Sequence, residues 1–346
     1  MDFREINLAR ARMYHFLSAM FRDEVPEALL EKMSSGVFFD QLLVLQDSCS
    51  IQDFCSGLGR ITGYLKSKSA AAAYKELRHD YAELFLNAGK NPAFPYESCY
   101  QNRDPLVMQD AVTSVRKAYR EAGVRKSEGY ADLDDHIAVE LEFMRYLAEK
   151  AADDNDQNSQ FDFLRNHLMG WSVDFCAVLT GATSSDFYRG LAELTMSFLF
   201  NERMYSFAAL AQQEAAPAYL HVLEQMSKAI AGLGLEKGYT LIAEGAAPVA
   251  ANRSVKTHCY ICLGLCGQEV TLKDGIITSC KGLSGDPKGG GRLCVKGANA
   301  HANTYSAYRL KSPLIKENGR FRKASWQEAL DLTASRLKAM DPETVA

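Results

Sequence analysis

No stretch of the 346 residues approaches the ~20 consecutive apolar residues that a bilayer-spanning helix requires, so the sequence offers no membrane span. The N-terminus, Met1-Asp2-Phe3-Arg4-Glu5, lacks a charged segment followed by an apolar stretch and instead opens an amphipathic helix. The formal net charge is only −4, which gives no electrostatic reason to expect a nucleic acid partner. A disulfide framework is missing too: Cys49, Cys55, Cys99 and Cys176 are scattered, as reduced cytosolic thiols are. Together these absences point to the cytoplasm.

What the chain does hold is concentrated toward its C-terminal end. Cys259, Cys262 and Cys266 lie within eight residues, and 27 residues intervene before Cys294. A cubane cluster needs four thiolates around one compact object. A Cys-x2-Cys-x3-Cys turn wraps three corners while a distant cysteine closes the last. Structural zinc more often takes its ligands two and two, each pair on its own knuckle, and a zinc-stabilised module stays open as the alternative. Between these cysteines, 268–272 and 276–278 alternate β-formers around Lys273-Asp274-Gly275 and predict a hairpin. Gly264, Gly267 and Gly289-Gly290-Gly291 allow backbone N–H groups to approach cluster sulfides, or else only make loops. Cys280 reads as a structural thiol.

The segments that follow are Cys294-Val295-Lys296-Gly297, Arg309-Leu310-Lys311-Ser312-Pro313-Leu314, Gly319-Arg320-Phe321 and Ser325-Trp326-Gln327-Glu328-Ala329-Leu330. With the cysteines they resemble the start of a molybdopterin oxidoreductase of the dimethyl sulfoxide reductase type, over about residues 256 to 340. The resemblance implies a 4Fe–4S cluster on Cys259, Cys262, Cys266 and Cys294, with Lys296 placed between cluster and pterin to couple them electronically. Without it, Lys296 reads as a solvated surface lysine. In that family a long catalytic region follows and binds molybdenum as bis(molybdopterin guanine dinucleotide). The chain is therefore expected to be the truncated front of a longer enzyme, with the missing catalytic domain or an electron-transfer subunit as partner and no catalytic residue of its own. Residues 325–340 read as one amphipathic helix capped at Ser325, with Trp326, Leu330, Leu337 and Met340 apolar.

Residues 1–212 show helical periodicity almost throughout, with few glycines inside the periodic runs and no series of alternating strands, which predicts an all-α bundle of roughly ten helices. In 8–21, Tyr14, Leu17, Met20 and Phe21 form a stripe, while Arg10 and Arg12 fall among the more polar positions. In 185–200, Ser185 is the expected cap, and Leu191, Leu194 and Phe198 share a face. Asp134 or Asp135 is expected to cap a helix whose apolar face is Ile137, Leu141 and Met144, with His136 and Glu140 four apart on a neighbouring face. That arrangement reads either as a cap with a solvated pair or as carboxylates set to receive guanidinium groups. Tyr81, Phe85, Tyr96 and Tyr100 read as core aromatics or as a groove for an apolar peptide, and Pro92 and Pro95 make the stretch before Tyr96 a loop. The acidic run 153–156 reads as a solvated loop.

Tyr81-Ala82-Glu83-Leu84-Phe85, Pro95-Tyr96-Glu97-Ser98-Cys99-Tyr100 and the run from Asp134 to Met144 resemble the TorD/DmsD family of redox-enzyme maturation chaperones, over about residues 5 to 212. The resemblance implies an all-helical domain that binds a twin-arginine signal peptide or an apo-molybdoenzyme. Its peptide-binding candidates here are Asp134, Asp135, His136, Glu140, Tyr96, Glu97 and Tyr100.

The expected organisation is a chaperone domain at 1–212, a helix and flexible linker at 213–255, a small α+β iron–sulfur domain at 256–312, and the start of an incomplete α/β domain at 313–346. Within the connection, 217–230 predicts a further helix, ended by Gly232, Gly234 and Gly238, and 244–251 predicts a flexible linker. The function expected is the front of a molybdopterin-dependent oxidoreductase carrying its own chaperone. The alternative is a stand-alone chaperone with an appended iron–sulfur sensing or docking module.

Overall fold

The computed structural model describes residues 1–101, 105–127, 129–235, 240–243 and 252–340. The expected linker at 244–251 and Gly238 lie outside the described residues. In chain order the helices are α1 (Phe3–Arg22), α2 (Glu27–Ser34), α3 (Gly36–Ser48), α4 (Gln52–Lys66), α5 (Ala70–Phe85), α6 (Ser98–Gln101), α7 (Asp110–Glu121), α8 (Ile137–Asp154), α9 (Asn158–Phe163), α10 (Met169–Ala182), α11 (Asp186–Leu210), α12 (Pro217–Ala231), α13 (Val295–Ala298), α14 (Ala300–Thr304) and α15 (Trp326–Lys338). The strands are β1 (Val124–Lys126), β2 (Leu241–Ala243), β3 (Arg253–His258), β4 (Gly267–Lys273), β5 (Ile276–Gly282), β6 (Leu314–Glu317) and β7 (Arg320–Lys323). A π-helical turn, Leu164–Leu168, joins α9 to α10. The chain is thus mostly helical, with a small β-sheet region and a short β segment toward the C-terminal end.

Compactness cuts across sequence order. One unit comprises Met1–Glu97, Lys126–Leu241 and Leu310–Ala346, and the other comprises Ser98–Arg125 and Ile242–Arg309.

In the first unit, α1 starts at a capping box: the Asp2 carboxylate accepts from Glu5 N at 2.8 Å while Glu5 accepts from Asp2 N at 2.8 Å. Its expected stripe of Tyr14, Leu17, Met20 and Phe21 is buried, on a helix that packs along α8 and α12. The helix α8 is covered almost all round, from Ile137 to Ala152, which makes it the centre of the bundle. Tyr81 and Phe85 fill core space: Phe85 lies against Phe21, Tyr81 and Tyr188 with ring centroids 6.3, 5.0 and 5.5 Å away. Helices α4 and α11 meet backbone to backbone, because a Cβ at Gly57 would stand 2.8 Å from the Gly190 carbonyl and one at Gly190 would stand 2.6 Å from that of Gly57.

Three local expectations are corrected. Arg10 is fully buried rather than polar-facing: Glu202 on α11 takes its guanidinium at 2.7–3.1 Å, Asn7 accepts at 2.7 Å, and Tyr205 lies under it at 4.5 Å. The cap of α8 is His136, whose Nδ1 accepts from Ala138 N at 3.1 Å, in place of Asp134 or Asp135. Cys49 and Cys55 form a disulfide with Cα atoms 6.1 Å apart, because the α3–α4 turn returns the chain on itself between them. Ser185 stands at the N-cap of α11 but makes no side-chain cap bond. Among the described residues no helix is long and apolar enough to cross a membrane.

In the second unit β3, β4 and β5 form an antiparallel meander. The β4–β5 turn is the expected one, with Asp274 at φ 48° and Gly275 at φ 78°. Segment 105–107 pairs with 305–307 through Val107 N to Tyr305 O at 2.9 Å and Ala307 N to Pro105 O at 3.1 Å. Helices α13 and α14 pack on β5.

Candidate iron–sulfur centre and chaperone site

The strand pairing of the meander positions two of the four cysteines. His258 is registered opposite Gly267, so Cys259, leaving β3, and Cys266, entering β4, face each other, and Cys259 N donates to Cys266 O at 2.8 Å. The intervening loop carries Cys262 and turns at Leu265, where φ is 44°. Gly264 is in the same loop: a Cβ there would stand 3.4 Å from Cys262 Sγ and 3.6 Å from Cys266 Sγ. Cys294 is the N-cap of α13, and the N–H groups of Gly297 and Lys296 hold its thiol pKa below the usual value. The same helix brings Gly297 to Cys259, whose Sγ would be 3.4 Å from an added Cβ. Lys296 is exposed on that helix.

A residue the sequence reading missed, Asp286, fastens these loops. Its Oδ2 accepts from Gly289 N at 2.6 Å, and bonds from the backbone of Gly289 and then Gly267 lower its pKa. A Cβ at Gly267 would stand 2.9 Å from its Cγ. Gly289 and Gly267 therefore serve the loop through Asp286, while Gly264 lies beside the thiols. Cys280 is buried in β5 opposite Val270, and burial raises its pKa.

In the helical unit, six of the seven peptide-binding candidates come together. Tyr96 bridges His136 in antiparallel fashion, Glu97 N donates to Asp135 O at 3.0 Å, and Ile137 N donates to Pro95 O at 2.9 Å. Their carboxylates face inward: Asp134, Asp135, Glu97 and Glu140 are all buried. Glu97 lies 3.0 Å from His167 Nδ1, and Glu140 accepts from Trp171 Nε1 at 3.1 Å. Burial first, and then the neighbouring Glu97, pushes the Glu140 pKa well above the carboxylate range. Burial also lowers His136 to about 4, so its imidazole is neutral near neutral pH. His136 and Glu140 are thus not a solvated pair. The seventh candidate, Tyr100, is half-buried on α6 in the other unit.

Beside this core lies a rim of carboxylates that meets the segment after Arg309. Asp132 accepts from the Tyr96 hydroxyl at 2.5 Å, and Lys311 Nζ stands 3.7 Å over the Tyr96 ring and 3.6 Å from Asp132. Burial opposes ionisation of Asp132, but His136, Lys311 and the Tyr96 hydroxyl together keep its pKa low. On α5, Glu83 takes Arg320 in a two-pronged contact at 2.9 and 3.0 Å, and Asp80 takes the same guanidinium at 2.9 Å. Asp23 pairs with Lys323 at 2.7 Å.

Residues 252–306 match the molybdopterin oxidoreductase Fe4S4 domain, residues 309–346 match the molybdopterin oxidoreductase family, and residues 51–177 match the nitrate reductase delta subunit family. Chaperone protein TorD of Vibrio parahaemolyticus is 27% identical over 204 residues, 57% of this chain and 94% of that protein. TorD of Shewanella sp. strain ANA-3 is 28% identical over 207 residues, 58% of this chain and 94% of its own length. The chain joins a TorD-like chaperone domain to Fe4S4 and molybdopterin oxidoreductase domains. An F420-dependent formate dehydrogenase 2 subunit alpha from Methanococcus maripaludis is 40% identical over 92 residues, and the chain spans only 14% of that protein.

Within this TorD–oxidoreductase fusion all four cysteines fall inside the Fe4S4 match. Among the described residues no three His, Cys, Asp or Glu side chains stand close enough together to share a metal ion. The donor chemistry nevertheless fits a four-thiolate group: a paired Cys259 and Cys266, a loop cysteine, and a helix-cap cysteine whose thiolate the backbone favours. Gly264 and Gly297 lie close beside the thiols, since an added Cβ at either would stand 3.4–3.6 Å from Cys259, Cys262 or Cys266 Sγ. The two oxidoreductase matches imply a capacity for iron–sulfur and molybdenum-cofactor binding.

Proposed function

We propose that the chain is the front of a molybdopterin-dependent oxidoreductase that carries its own maturation chaperone and acts in the cytoplasm. Residues 1–212 are the chaperone domain, 213–255 the connection, 256–312 the cluster domain and 313–346 the start of the pterin domain. The observation that carries the reading is the register of β3 and β4, which sets Cys259 against Cys266 with Gly264 and Gly297 beside the thiols. Cys259, Cys262, Cys266 and Cys294 would hold a 4Fe–4S cluster, and Lys296, two residues after the last ligand, would lie on the electron path to the pterin. When bound, the cluster supplies one-electron transfer. The chain's own residues shape its seat: Asp286 ties the loops that carry Gly267 and Gly289, and the α13 backbone favours the Cys294 thiolate.

The chaperone domain would bind an apo-molybdoenzyme or a twin-arginine signal peptide and delay it until cofactor insertion. Asp134, Asp135, His136, Glu140, Tyr96 and Glu97 would shape that site from within, since burial withholds their carboxylates from direct contact with a peptide. The test is iron and sulfide content of chain purified without oxygen, with electron paramagnetic resonance before and after dithionite, beside Cys294→Ser. About four iron and four sulfide per chain, with a reduced-state signal altered in the variant, is the expected result. Zinc with no iron, even after anaerobic reconstitution, refutes the electron-transfer role.

A further inference from the structure

The segment matched to the molybdopterin oxidoreductase family contains the β6–β7 hairpin and α15, and it clusters with the helical unit rather than with the sheet that holds the cysteines. The hairpin turns at Asn318-Gly319, with φ 49° and 85°, and lies on α5. It makes several polar contacts to the bundle, beside the buried Ile315 and Ala324. Arg320 spans Asp80 and Glu83, which sit three apart on one face of α5. Lys323 reaches Asp23 at 2.7 Å, and its carbonyl accepts from Arg78 Nη2 at 3.2 Å. His79 Nδ1 lies 2.9 Å from the Phe321 carbonyl. Arg78 is itself held by Glu24 at 3.1 Å.

The apolar side of the same segment tells a different story. Helix α15 is properly started, with Ser325 Oγ accepting from Glu328 N at 3.1 Å, yet none of its residues is buried. Trp326 is 71% exposed, Leu330 59% and Leu337 49%. The hairpin is thus held by charges beside the buried Ile315 and Ala324, while the apolar residues of α15 stay exposed. Helices in folded domains derive most of their stability from a buried apolar face.

We propose that the acidic edge formed by Asp80, Glu83 and Asp23 is a client-holding surface, and that its client is the basic β6–β7 hairpin of the chain's own molybdopterin segment. This rests on the fused-chaperone reading and names its client element. Arg320 is the anchor, because its planar fork matches a carboxylate in a way lysine does not. Lys323 and the two backbone carbonyls fix the hairpin's orientation. Charge carries the hold, so added salt loosens it. Tethering supplies the concentration that a polar contact of this size lacks by itself.

The test is hydrogen exchange on the full, iron-loaded chain, comparing wild type, Asp80→Asn/Glu83→Gln, and the swap Glu83→Arg/Arg320→Glu. In the neutralised variant, amides of 314–323 are expected to exchange at least about tenfold faster, with α1 and α8 unchanged; the swap restores part of the protection. Unchanged hairpin exchange in the neutralised variant overturns the proposal. So does a loss spread equally over α1 and α8, which marks general destabilisation of the bundle. Iron content measured on the same samples reports separately on the cluster reading, so failure of one is distinguishable from failure of the other.

Discussion

His136 couples acid to the stability of the chaperone core, and the size of that coupling follows from its surroundings. The ring is buried, caps α8 through Ala138 N, and is lowered from 6.5 to about 4, chiefly by burial, with Asp132 opposing and Lys311 assisting. A histidine with a depressed folded pKa stays neutral in the native state while the unfolded chain takes a proton. Stability is therefore full above the unfolded value of 6.5 and falls as pH drops toward about 4. One proton across that window, read at about pH 4.5 against about pH 8, amounts to about 2.5 kcal/mol. His136→Asn keeps an acceptor for the α8 cap and removes the titration. Urea unfolding followed by helical circular dichroism at both pH values measures the difference. Wild type is expected to lose about 2.5 kcal/mol more than the variant on acidification. Equal losses in the two proteins refute the assignment of a neutral, buried His136.

Two further outcomes follow from the bundle. Arg10→Met leaves Glu202 buried with, among the described residues, the Tyr14 and Tyr219 hydroxyls, and removing one member of a buried pair costs about 3–5 kcal/mol, to be measured as a lowered urea midpoint. Adding Glu202→Leu to that variant is expected to recover much of the loss. Gly190→Ala drives a methyl to 2.6 Å from the Gly57 carbonyl and is expected to cost about 1–3 kcal/mol by parting α4 from α11, whereas Gly181→Ala, which meets nothing within 4 Å, is expected to leave the thermal midpoint unchanged or higher.

Features legible in the sequence are those whose causes lie nearby in the chain. The stripe on α1, the Asp274-Gly275 turn, the Ser325 cap and the cysteine turn all depend on residues within a few positions of one another. The burial of Arg10 is not legible because its partner, Glu202, lies 192 residues away on another helix, and no local periodicity reports it. Cap preference favours an aspartate at the start of α8, while burial beside Pro95 and Tyr96 places the imidazole of His136 there. The Cys49–Cys55 disulfide was hidden because a six-residue separation says nothing of the turn between two helices. Six of the seven peptide-binding candidates stand together in the fold, but their inward orientation is not legible in the sequence. The acidic rim that meets the hairpin was missed, since Glu83 and Arg320 stand 237 residues apart and each alone reads as a solvated charge.

That same separation sets a timetable. With synthesis running at about 5–20 residues per second, roughly 10–50 s pass between the making of Glu83 and that of Arg320, of which about 4–16 s follow Leu241, where the helical part of the first unit ends. Helices and small domains form far faster than that. A nascent chain would thus present a finished receptor before its ligand leaves the ribosome, at a fixed one-to-one ratio and with no search through the cell for a partner.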